Sequence, residues 1–164
     1  MGEFQASVVL PRPRIETFDY LRQPKNFLKL FPDSATKHLG VRLPEILNTG
    51  EVLEFNFMAF GSKMQIIQEI TELRHPEHII ARQVKGPFRL WIHEQRYADA
   101  PDGSTLLTNL IRFEPPGGLL GFIATRKMIM SHLDEWLTEG HERLRRTLAS
   151  ESKAAPDLNQ VAPH

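Results

Sequence analysis

The chain has no cysteine, which excludes disulfides, thiolate metal sites and a thiol nucleophile together. It also has no net charge, because 20 Lys and Arg balance 20 Asp and Glu. A polyanion binder shows a basic excess, so nucleic acid is set aside as a partner. No stretch reaches the ~18 apolar residues of a membrane span, and Met1-Gly2-Glu3-Phe4-Gln5 lacks the basic start of a secretion signal. The expectation is a soluble, cytoplasmic protein with no integral membrane segment.

What is present fits one domain. A chain of 164 residues can bury about 70% of its unfolded surface, enough for a core and for a hollow within it. Phe4 to Leu10 reads as a first strand, stopped by Pro11-Arg12-Pro13. Pro13 opens a short helix carrying Ile15, Phe18 and Leu21, and Pro24 breaks it and starts a second with Phe27, Leu28 and Phe31, closed by Pro32. Strands follow: a weak one over Ala35 to Leu43, then Val52 to Phe60, Lys63 to Leu73, Ile79 to Val84, the strand after Gly86-Pro87, and Thr105 to Phe113. Pro115-Pro116-Gly117-Gly118 ends the sheet. From Leu119 to Ala149 the stripe Phe122, Ile129, Leu133, Trp136, Leu144, Leu148 predicts one long helix of about 45 Å. The expected domain is 1–149, followed by a polar, disordered tail over 150–164.

The richest segment is the strand from Phe88 to Tyr97. At a two-residue period Trp91, His93, Gln95 and Tyr97 share a face, opposite Phe88, Leu90, Ile92, Glu94 and Arg96. Large apolar area mixed with a few hydrogen-bonding groups suits the wall of a ligand cavity. A hairpin turning near Ala100 and Pro101 would pair Tyr97 with Thr105, Gln95 with Leu107, His93 with Asn109 and Trp91 with Ile111. His93 and Asn109 could then satisfy each other or meet a polar group of a guest, and both readings stay open. Phe55, Phe57, Ile111 and Phe113 would complete an apolar wall, with Leu133 facing it from the helix. His75 and His78 flank a turn, and His132 and His141 lie on the long helix; no pair has zinc-site spacing. Neither a metal nor a cofactor is expected.

Strand, two short helices, six strands and a long C-terminal helix resemble the START-like, or SRPBCC, superfamily. So do Gly86-Pro87-Phe88 followed by Trp91, His93 and Tyr97, the run Pro115-Pro116-Gly117-Gly118-Leu119-Leu120-Gly121, and the helix with Leu133 and Trp136. The resemblance covers Phe4 to Ala149 and is nearest to a bacterial branch whose last two strands carry Trp-x-His-x-His and an acidic residue. Here Gln95 replaces the second histidine and Asn109 the acid, and the glycine-rich loop of the plant allergens is reduced to Asn48-Thr49-Gly50.

The resemblance implies an α+β helix-grip fold: a curved, seven-stranded antiparallel sheet, two short helices after its first strand, and a long C-terminal helix across it. It further implies a small hydrophobic ligand, such as a lipid, an isoprenoid or quinone, or an aromatic polyketide, held between sheet and helix. The ligand-binding candidates are Trp91, His93, Gln95, Tyr97, Asn109, Phe55, Phe57, Ile111, Phe113 and Leu133. The alternatives are a polyketide cyclase, aromatase or dehydratase using His93 as its catalytic candidate, and a co-chaperone-like interaction module. A homodimer is compatible with all three.

Overall fold

Pro11 and Pro13 separate the first strand from the first helix, as their missing donors require. A computed structural model, which describes residues 1–28, 40–59 and 62–154, shows β1 (Gly2–Leu10), α1 (Arg14–Leu21) and α2 (Pro24–Leu28) in succession. Pro24 is the first residue of α2, where the absent N–H costs nothing. Then come β2 (Gly40–Arg42), β3 (Val52–Ala59), β4 (Ser62–Arg74), β5 (His78–Lys85), β6 (Leu90–Asp99) and β7 (Thr105–Glu114). Two helices end the described chain, α3 (Gly118–Ile123) and α4 (Arg126–Ala154).

The seven strands form one antiparallel sheet in the order β1-β7-β6-β5-β4-β3-β2. Register shifts at Ile67/Gln68 and Ile70/Glu72 bend β4 against β5. Such bulges increase local twist and help curve the sheet. Helix α4 packs along β1 and reaches β7 through a side-chain bond between His141 and Asn109.

Four expectations change. The β6–β7 register is displaced by two residues: Tyr97 pairs with Leu107, Gln95 with Asn109, His93 with Ile111 and Trp91 with Phe113. The turn is centred later than Ala100-Pro101, because Gly103 takes a positive φ of 82° and Asp102 accepts from the Ser104 backbone N–H at 3.1 Å. The displacement is even, so every side chain keeps its face. The C-terminal helix is two helices, since Thr125 caps a fresh start: its Oγ1 accepts from Met128 N–H at 3.4 Å. Helix α4 then runs to Ala154 rather than Ala149. Of the strand expected over Ala35 to Leu43, Gly40–Arg42 is present; residues 35–39, like Phe31, Pro32, Phe60 and 155–164, lie outside the described residues.

Two apolar clusters form beneath α4. One joins Phe18 and Leu21 of α1 to Phe55, Ile70, Tyr97 and Leu107 of the sheet and to Leu144 and Leu148 of α4. The other joins Ile111 and Phe113 to Ala124, Ile129, Leu133 and Leu137, with Phe88, Trp91 and Trp136 packed against it. Both elements cross the boundary between clusters at a polar residue, β7 at Asn109 and α4 at His141. On the opposite face of β6, Glu94 is bound by Arg96 at 2.6 Å and Arg112 at 3.2 Å. The bond from Arg96 is the main reason its carboxyl lies below the usual range.

Candidate functional site

The alternation of β6 and β7 places His93, Gln95, Tyr97 and Asn109 on the helix-facing side of the sheet, all buried. Buried polar groups must find partners. These find one another in a continuous chain. Asn109 Oδ1 accepts from His93 Nε2 at 2.8 Å and from Gln95 Nε2 at 3.4 Å. Gln95 Oε1 accepts from the Tyr97 hydroxyl at 3.1 Å. Asn109 Nδ2 donates to His141 Nε2 at 2.8 Å.

The chain assigns the tautomers. Asn109 can accept only at its oxygen, so His93 carries its proton on Nε2. It can donate only at its nitrogen, so Nε2 of His141 is bare. Burial lowers the pKa of both imidazoles; for His93 the Asn109 bond opposes the shift, whereas His141 is pushed down to about 4, with the nearby His93 adding to the effect. Burial likewise drives the Tyr97 phenol far above its ordinary value. All three groups are neutral at pH 7.

A pocket opens in front of this chain, on the side of α1 and α2. Its volume is about 40 Å³, room for no more than a few waters. Leu21, Pro24 and Phe27 come from the short helices, Leu43 and Leu47 from the segment before β3, and Leu53, Phe55, Gln68, Ile70, Ile79 and Ala81 from the sheet. His93 and Gln95 complete the lining and, with Gln68, are its hydrogen-bonding side chains. The rings of Phe27 and His93 lie 6.4 Å apart.

The sequence-predicted residues thus fall into groups. Phe55, His93 and Gln95 line the pocket. Asn109 and Tyr97 stand in the hydrogen-bond chain with them, and the Tyr97 ring meets Phe18 at 4.9 Å. Trp91, Ile111, Phe113 and Leu133 belong instead to the second apolar cluster, where Trp91 sits between Phe88 at 4.7 Å and Phe113 at 6.3 Å. The side chain of Phe57 lies outside the described residues.

His141 is the residue that sequence reasoning passed over. A signal existed, because Leu133, Leu137, His141, Leu144 and Leu148 are spaced by fours and a three, the period of one helix face. Among the described residues no group of three or more His, Asp or Glu could hold a metal ion. Likewise, none of the described helices is long and apolar enough to cross a membrane.

No protein-family model and no curated protein matches this sequence. Solved structures do. XoxI from Bacillus cereus is 10% identical with a TM-score of 0.66, the alignment covering 93% of this chain and 99% of that one. TTHA0849 from Thermus thermophilus is 14% identical with a TM-score of 0.63, covering 89% and 99%. Major latex-like protein 151 from Panax ginseng is 15% identical with a TM-score of 0.61, covering 89% and 96%. Over nearly its whole length, and with the strand order and terminal helix described above, the chain has the START-like helix-grip fold.

Proposed function

We propose that the protein binds a small hydrophobic molecule in the pocket between the short helices and the sheet. The observation that carries this reading is the lining: a wall mainly of Leu, Ile and Phe into which three neutral, hydrogen-bonding side chains, Gln68, His93 and Gln95, are set. Apolar burial at about 25 cal/mol per Å² supplies most of the affinity, and His93 and Gln95 orient the guest. A guest larger than the present hollow requires α2, with Phe27, to move outward. Lipid fragments, isoprenoids, quinones and aromatic polyketides are the chemical range. That the work is done in the cytoplasm, by a monomer or a homodimer, belongs to the same proposal.

Native mass spectrometry of the purified protein, with extraction of bound material, tests the reading directly. A ligand held only by the native state must also raise thermal stability. Protein that releases nothing and gains no stability from any apolar compound would refute it.

One observation favours a second reading, an enzyme of the cyclase or dehydratase kind. The neutral His93 has a nitrogen, Nδ1, that the bond to Asn109 leaves as an acceptor, and such a lone pair can accept a proton from a bound carbonyl compound. A His93→Ala variant that still binds ligand but loses turnover would support it.

A further inference from the structure

We infer that the guest is an uncharged molecule whose hydroxyl, a phenol or an alcohol on an apolar body, is held between His93 and Gln95, and that the matching carboxylate is refused. The inference rests on the binding reading above and adds to it the chemical class of the ligand.

Three observations carry it. First, the Asn109 bond commits His93 Nε2 as a donor, so Nδ1 is left as an acceptor. Second, Gln95 uses its oxygen for Tyr97 and one amide hydrogen for Asn109, which leaves the other hydrogen on a side chain that lines the pocket together with His93. One acceptor beside one donor is the complement of a hydroxyl, which gives one hydrogen bond and takes another. An ether can only take, and would set its lone pairs against those of His93. Third, the remaining polar lining residue, Gln68, is neutral, and no Lys, Arg, Asp or Glu is among the described lining residues. A carboxylate would lose its hydration there with no cation to replace it. His93 could supply that cation only by protonating, which burial beside His141 and the apolar wall opposes.

The test compares three probes on one skeleton at pH 7.5: 4-propylphenol, its methyl ether 4-propylanisole, and 4-propylbenzoate. Calorimetric titration should show the phenol binding about tenfold more tightly than the ether, the size of one net hydrogen bond. The benzoate should bind at least tenfold more weakly than the phenol. On addition of the phenol, the ¹⁵N resonance of His93 Nδ1 should shift as it gains a hydrogen bond, and it should not shift in that sense with the ether. Benzoate or ether binding as tightly as the phenol overturns this inference and leaves the pocket reading standing. Failure of all three to bind overturns this inference, whereas the pocket reading falls only if native mass spectrometry also finds nothing released and no apolar compound raises thermal stability.

Discussion

Asn109 on β7 and His141 on α4 meet at 2.8 Å, joining sheet to terminal helix where the two apolar clusters abut. The same amide holds His93 through its oxygen at 2.8 Å. Asn109 is therefore the hub of the buried polar chain, and its two ends are not interchangeable: the oxygen serves β6 and the nitrogen serves α4.

Replacing that hub with an apolar residue should be costly. In Asn109→Leu the imidazole N–H of His93, Nε2 of His141 and an amide hydrogen of Gln95 all lose their partner. Each orphaned buried group costs about 1–3 kcal/mol. Three such groups give a combined loss of roughly 3–9 kcal/mol by denaturant unfolding, and a loss below about 1 kcal/mol would show that the chain is not held as described.

Asn109→Asp probes the electrostatics at constant shape. A carboxylate between the two rings favours their charged forms. NMR titration should find both histidines moved upward, His141 from about 4 toward or above its ordinary value. No upward movement at either ring would contradict the placement of residue 109 between them.

Stability should depend on pH through the same rings. An unfolded histidine titrates near 6.5, whereas His141 in the fold does so at about 4 and His93 is also lowered. Between those values the unfolded chain holds the extra proton, so stability is full above pH 6.5, declines as pH falls toward 4 and levels off below. For His141 the decline amounts to at most about 3 kcal/mol. His141→Gln, which keeps an acceptor but cannot titrate, should flatten the decline to the part that His93 contributes; an unchanged slope would assign the acid sensitivity to His93 and to carboxylates elsewhere.

Filling the pocket separates binding from folding. Ala81 lines it and pairs across the sheet with His93. Ala81→Leu should leave a folded protein, destabilised by about 1–3 kcal/mol if the hollow accommodates it imperfectly. The thermal stabilisation given to the parent protein by 4-propylphenol should vanish, and persistence of the full shift would place the binding site elsewhere.

Packing of α4 gives a further comparison. Leu148 is fully buried and Leu119 is 82% exposed. Leu148→Ala should cost about 2–5 kcal/mol, and Leu119→Ala no more than about 0.5 kcal/mol. Equal effects in denaturant titrations would mean that α4 does not grip the sheet through its C-terminal half.

Much of this was legible along the chain. Proline positions marked the ends of β1 and α1, and two-residue alternation correctly put His93, Gln95 and Tyr97 on one face. The break at Thr125 was hidden because a threonine inside an apolar stripe caps a helix only where the chain also bends, and spacing carries no record of bending. The register of β6 on β7 slipped by two residues because it depends on the conformation of Gly103, not on the hydrophobic pattern. His141 was overlooked for a related reason: a histidine on an apolar stripe gains meaning from what lies across from it.

Local order in this protein, meaning which segments are strands or helices and which side chains turn inward, was written in periodicity, proline and glycine, since those act through the backbone of neighbouring residues. The partnership of Asn109 with His141, and the division of the aromatic side chains between the pocket and the second cluster, were decided only by tertiary structure. Both depend on where a helix some thirty residues later in the chain comes to rest on a bent sheet, and a buried polar group chooses its partner from what that packing brings within about 3 Å.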